Sequence, residues 1–171
     1  MELLWSSMKA LLVLSTLFFS FSASPSNIVK TLPGFDGPLP FELETGYIGV
    51  EEDSDVQLFY YFIKSERNPK EDPLLTWISG GPYCSVLSGL AFGVGPLQFK
   101  IKEFKGELPT LISQPYSWTK VSNIIFIDAP VWTGFSYSNS STIKADGDIS
   151  SSKRVSTFIK KVKILLQHLT L

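Results

Sequence analysis

Cysteine and histidine are almost missing: 171 residues contain one of each, Cys84 and His168. A lone cysteine excludes a disulfide within the chain. Cys84 is then a buried thiol, or its partner lies in another chain or in sequence outside these residues. An excess of one charge is also missing. Lys and Arg number 15, Asp and Glu 16, for a net charge of −1, so the composition gives no footprint for nucleic acid or an acidic membrane surface. A membrane-spanning run is absent too. The longest apolar stretch, residues 10–21, follows Lys9 and runs for about a dozen residues, short of the roughly 20 a helix needs to cross a bilayer. With its basic lead and the small residues Ser22, Ala23 and Ser24, the segment 1–24 reads as a secretory signal peptide. Removing it takes away Glu2 and Lys9 together and leaves the net charge at −1. No internal repeat or low-complexity run appears.

What remains, residues 25–171, suits one globular domain: the chain is 44% hydrophobic and 13% aromatic, enough for a sizeable core. After a lead-in rich in Pro and Gly, residues 41–50 and 56–64 are β-forming runs separated by a polar turn, a spacing that predicts an antiparallel hairpin. Leu74 to Ile78 and Ile124 to Asp128 are short and apolar, as strands buried on both faces are. Between them, residues 85–95 predict only short helical turns, residues 97–101 a short strand, and 108–117, with two prolines, a loop. The final segment is a helix. Val155, Phe158, Ile159, Val162, Leu165, Leu166 and Leu169 share one face, and Lys153, Lys160, Lys161 and Lys163 lie mostly on the others, facing solvent. Asp148 and Ser150 are candidate N-caps. The order predicts an α/β fold with a parallel sheet and an antiparallel edge.

The chain is organised around residues 72–85, where the strand Leu74–Ile78 runs into Ser79-Gly80-Gly81-Pro82. Glycines permit backbone angles closed to other residues, and proline stops the strand. Such a turn can be a plain tight turn beside a core strand. It can also aim backbone N–H groups into open space, as an oxyanion hole requires.

Three stretches decide between these readings, and together they resemble the serine carboxypeptidase family, in particular its plant serine carboxypeptidase-like branch. The first runs from Leu32-Pro33-Gly34 through Phe41-Glu42-Leu43-Glu44-Thr45-Gly46-Tyr47-Ile48-Gly49-Val50. The second runs from Phe59-Tyr60-Tyr61-Phe62 and Asn68-Pro69 into Trp77-Ile78-Ser79-Gly80-Gly81-Pro82. The third joins Pro115-Tyr116-Ser117-Trp118 with Asp128-Ala129-Pro130 and Thr133-Gly134-Phe135-Ser136-Tyr137-Ser138. The resemblance implies the N-terminal portion of an α/β-hydrolase sheet. It implies that Gly81 supplies one oxyanion-hole N–H, that Gly80 lets the backbone approach the substrate, and that Ser79 replaces an Asn that helps grip a peptide's terminal carboxylate. A hydroxyl there has one donor and less reach than an amide, and resembles acyltransferases that use glucose esters. The expected partners are therefore a peptide C-terminus or an acyl-glucose ester, with no cofactor, no metal and no membrane. The resemblance also implies a secreted or vacuolar protein and a disulfide from Cys84 to a later cysteine.

The departures from the family pattern matter as much. Tyr83 stands where the family has the last glycine of Gly-Gly-Pro-Gly-Cys, Trp132 where it has a glycine before Thr-Gly-Phe-Ser-Tyr, and Gly93 where a glutamate is common. If Tyr83 needs a positive φ, the strain is roughly 1–2 kcal/mol. An indole at 132 is expected to clash or to push its loop outwards. No G-x-S-x-G nucleophile elbow occurs in these 171 residues, and no acid or base follows in the order such hydrolases use. His168 matches a helix histidine of the family rather than the catalytic one. The expectation is a serine-type carboxypeptidase or glucose-ester acyltransferase by descent that is inactive by itself for want of a Ser-Asp-His triad. It is also expected to be poorly soluble or partly unfolded alone, with an apolar edge beside Leu74–Ile78 open to pairing. The alternatives are a non-catalytic binding or inhibitory fragment and a non-functional truncated product. Asn139-Ser140-Ser141 is a glycosylation sequon.

Overall fold

The computed structural model describes residues 27–51, 55–79, 83–101, 106–140, 143 and 147–168, with the backbone alone for 164–168. Its main sheet contains β1 (Asn27–Val29), β2 (Leu43–Gly49), β3 (Val56–Ile63), β4 (Leu74–Trp77) and β7 (Asn123–Ile127), in the order β1-β2-β3-β7-β4, with the two-residue β8 (Tyr137–Ser138) also paired to β3. β2 and β3 form the expected hairpin, with Tyr47 opposite Phe59 and Thr45 opposite Tyr61. β7 runs antiparallel to β3 and parallel to β4, Trp77 lying opposite Phe126. The sheet is therefore mixed, as the order of elements predicts.

Both faces of β7 are covered, and all five of its residues are buried. On one face Leu58, Tyr60, Phe62, Ile125 and Ile127 pack against Phe158 and Val162 of the long helix α1 (Asp148–His168). On the other, Leu43, Tyr61, Ile63, Ile124 and Phe126 pack against Val86, Leu90 and Leu97. This second layer holds a five-residue π-helical turn, Gly89–Gly93, and a small antiparallel ribbon of β5 (Leu97–Phe99) and β6 (Leu111–Ser113). The Tyr60 hydroxyl donates to Glu44 Oε1 at 2.7 Å inside the α1-facing layer. Burial, then that carboxylate, push the phenol well above its ordinary pKa.

Several expectations need correction. β4 is not buried on both faces: Leu74 is 44% and Ile78 48% exposed, because in the described sheet β4 has one neighbour, β7, and stands at the edge. An apolar run alone does not distinguish a central strand from an edge strand. Residues 108–117 are not wholly loop. Pro109 and Pro115 flank β6 rather than interrupt it, so its N–H groups remain available for pairing, and Leu111 N also donates to Gly34 O at 2.7 Å. β1 is an additional edge strand that the lead-in gives no sign of. On α1, Phe158 and Val162 are buried as expected, but Ile159 is 43% exposed. The side chains of Leu165, Leu166 and His168, and the whole of Leu169, lie outside the described residues.

The connection between β3 and β4 is fastened by polar groups. Asn123 Nδ2 donates to the carbonyls of Pro69 and Asp72 at 3.0 Å each, and Asn123 Oδ1 accepts from Ser65 N. The Asp72 carboxylate accepts from Arg67, from Ser65 Oγ and from Asn68 N. The Arg67 bond first, then that of Ser65, lowers the Asp72 pKa to about 2.

Candidate functional site

The C-terminal ends of β4 and β7 lie side by side because the two strands are parallel. Of the sequence-derived candidates, Ser79 lies where β4 ends. In parallel α/β sheets this end of the strands is where ligands bind. Side chains alternate along β4. Leu75 and Trp77 turn to the layer with the π turn. Ile78, after the strand, turns to the helix side, where it lines an open groove of about 620 Å³ with Ala129, Pro130, Val155 and Ile159.

Ser79 is half-buried, and its Oγ is enclosed without a hydrogen-bond partner. So is the indole Nε1 of Trp77. The two atoms are neighbours: a Cβ built on Gly89 would collide with Trp77 Nε1 and lie 3.4 Å from Ser79 Oγ. Gly89 is thus a glycine because the indole edge leaves no room for a side chain. Buried polar atoms are normally paired, so these two, both close to Gly89 and both without a partner, are the exceptions in this part of the fold. Trp77 was not among the sequence-derived candidates. The signal was present in its position two residues before Ser79, which puts both side chains on the same side of an extended chain. Trp118 packs on the indole edge-on at 5.8 Å.

Gly80, Gly81 and Pro82, the oxyanion candidates and their proline, lie outside the described residues. The chain is described again from Tyr83, which has a φ of 72°. Trp132, in the loop after β7, has a φ of 70°, and these are the two non-glycine residues with positive φ among those described. They are also the two positions where aromatic residues stand in place of the family's glycines. The backbone has kept a glycine-type conformation at both. At Trp132 the expected clash does not arise. The indole points outward, 42% exposed, and its Nε1 donates to Ile143 O at 3.3 Å. The cost falls on the backbone instead. Gly93, in place of the glutamate, borders open space.

The loops after β4 and β7 meet at Asp128. Its carboxylate is fully buried and accepts from Ser85 Oγ and Val86 N at 2.8 Å and from Phe135 N at 3.0 Å. Tyr61 lies nearby. Burial, and after it the negative charge of Asp128, raise that phenol's pKa. Next to Tyr61, Phe59 stacks edge-on with Tyr47 and Phe135 at 5.0 and 5.2 Å. The Ala129–Pro130 peptide is cis.

Cys84 is exposed and unpaired, so it is not a buried thiol. Asn139 is exposed, and its backbone N donates to Asp55 O at 2.9 Å. Ser141 of the sequon lies outside the described residues. Among the described residues no three His, Cys, Asp or Glu side chains converge as metal ligands, and no helix is long and apolar enough to cross a membrane.

A mixed sheet with a long helix on one face and parallel strands at one side is the arrangement of the N-terminal portion of an α/β-hydrolase sheet. The comparisons make this specific. A family model described as serine carboxypeptidase matches residues 33–163, and the chain belongs to that family. It is 60% identical over 152 residues to "Serine carboxypeptidase-like 7" of Arabidopsis thaliana, covering 88% of this chain and 35% of that protein. It is 57% identical over 153 residues to "Serine carboxypeptidase-like 16" of the same plant, covering 90% and 35%. Among solved structures it resembles Kex1Δp, a prohormone-processing carboxypeptidase from Saccharomyces cerevisiae, with a TM-score of 0.59 and 26% identity over 76% of this chain and 29% of that one. The chain spans about a third of the length of the curated relatives it matches.

Proposed function

We propose that this chain carries the acyl-binding side of a serine carboxypeptidase-like site and, by itself, performs no catalysis. The observation that carries this reading is the pair of buried, unpartnered polar atoms, Ser79 Oγ and Trp77 Nε1, one and three residues before Gly80-Gly81. In this reading Gly81 N–H and its neighbours stabilise negative charge developing on an acyl oxygen. Ser79 and Trp77 meanwhile hydrogen-bond a polar group of the substrate, either a peptide's terminal carboxylate or a hydroxyl of an acyl-glucose ester. Ser79 in place of the family's Asn supplies one donor fewer and less reach, which favours acyl transfer over peptide hydrolysis. No G-x-S-x-G lies in these 171 residues, so in this reading they do not themselves supply the nucleophile of the covalent step. Entry into the secretory pathway through residues 1–24, a secreted or vacuolar destination and a glycan on Asn139 belong to the same reading.

A serine-reactive phosphonate tests it. The purified 171-residue chain is expected to remain unlabelled, and stoichiometric labelling of any serine would overturn the proposal. A second reading, a non-catalytic fragment that docks on an intact relative, is favoured by the half-exposed β4 edge. Co-purification of the tagged chain with a full-length homologue would support that reading over the first.

A further inference from the structure

We propose that Asp128 is a positioning residue: its buried carboxylate clamps the loop leaving β4, at Ser85 and Val86, to the loop leaving β7, at Phe135, and so fixes the backbone of residues 83–86 against that second loop. The functional part of this inference rests on reading that loop as acyl-binding.

Asp128 is the first residue after β7, the strand buried on both faces, so its backbone is held by the rigid centre of the sheet. One carboxylate oxygen takes Ser85 Oγ and Val86 N, both from the loop after β4. The other takes Phe135 N from the loop after β7. The Asp128 carbonyl accepts from Ser136 Oγ at 2.6 Å, and Ser136 Oγ in turn accepts from Phe59 N at 2.8 Å, which ties the second loop back to β3. Gly134, at a φ of 54°, lies so close that a Cβ there would overlap the carboxylate.

A buried carboxylate without a counter-charge costs several kcal/mol, and among the described residues no Lys or Arg pairs with it. Charge-assisted bonds from several donors offset such a cost. A neutral Asn cannot reproduce them, because its amide group would face an N–H donor. Each clamped loop also carries a residue in a strained conformation, Tyr83 two residues before Ser85 and Trp132 three before Phe135. Left-handed conformations of non-glycine residues persist only where their surroundings enforce them, and the two bonded loops meet only at this carboxylate among the hydrogen bonds given above.

Hydrogen–deuterium exchange of the full 171-residue chain, read by mass spectrometry over segments 83–88 and 131–137, tests the clamp. Asp128→Asn is expected to speed exchange in both segments together by about tenfold or more, leaving β2 and β3 unchanged. Gly134→Ala changes only the second loop yet should speed exchange in residues 83–88, because the new methyl group displaces the shared carboxylate. Loosening of one segment alone in Asp128→Asn, or a Gly134→Ala effect confined to its own loop, would overturn the proposal. If Asp128→Asn unfolds the chain, Gly134→Ala decides. Loss of protection throughout β2 and β3 in both variants overturns it, since a clamp local to two loops leaves the sheet protected. No acyl ligand enters this measurement, so its failure leaves the reading of Gly81 intact, and phosphonate labelling would leave the clamp intact.

Discussion

At the scale of single residues, Tyr83 and Trp132 share a conformation but not an environment. Left-handed backbone costs each about 1–2 kcal/mol, which glycine would relieve at an entropic cost of about 0.5–1 kcal/mol. Tyr83 is 66% exposed, so truncating it gives up little buried surface. Tyr83→Gly is expected to change unfolding stability by no more than about 0.5 kcal/mol. Trp132 buries more than half of its indole and makes a hydrogen bond. At about 25 cal/mol per Å², that burial exceeds the strain, so Trp132→Gly should destabilise by about 1–2 kcal/mol. Urea denaturation of both variants checks this; a stabilised Trp132→Gly would mean that strain outweighs packing. Asp72 gives a pH dependence of known sign. Its pKa in the fold, about 2, lies below the ordinary 3.8. The stability it contributes is therefore fully present above the ordinary value and is lost as pH falls through the lower one. Between pH 5 and pH 2, Asp72→Asn should lose less stability than the parent in denaturation curves.

At the scale of elements, α1 is held by its apolar stripe together with two charged side chains: Arg154, whose guanidinium donates to Glu51 Oε1 at 2.8 and 2.6 Å, and Lys161, which was expected to face solvent but donates to Gly49 O at 2.6 Å. Phe158 is fully buried and meets Tyr60 edge-on at 5.9 Å. Phe158→Ala should cost about 3–5 kcal/mol, a large part of the roughly 5–15 kcal/mol that holds an ordinary domain. Lys160→Ala, on the exposed side, should change stability by under about 0.5 kcal/mol. Chemical denaturation of the two variants provides the comparison. The helix was legible from its 3.6-residue periodicity. The exposure of Ile159 was not, because its place on the stripe says nothing of which neighbour, if any, covers it. β6 was missed for a related reason: Pro109 and Pro115 look like breakers until their positions outside the strand are known.

At the scale of the whole molecule, the described sheet ends at β4. Leu74, Thr76 and Ile78 are exposed there, beside a groove that reaches α1. Exposed apolar edge strands pair with other strands unless a charge discourages it. Ile78→Lys should therefore reduce concentration-dependent association in sedimentation velocity; unchanged association would place the self-contact elsewhere.

The sequence by itself determined the family, the hairpin, both parallel strands and the long helix. Each of these rests on local order: alternation, helical periodicity, or motifs that appear in a set succession. It also marked residues 83 and 132 as places where glycine was expected. The open edge beside Leu74–Ile78 was also expected from the sequence, and β4 stands at the edge of the described sheet. Only the tertiary structure decided that the backbone at Tyr83 and Trp132 is left-handed, that Trp77 Nε1 and Ser79 Oγ both lie close to Gly89, and that Asp128 joins two loops. Those features depend on contacts such as Ser79 with Gly89 and Ser85 with Asp128, and no local pattern encodes which distant neighbour fills the space around a side chain.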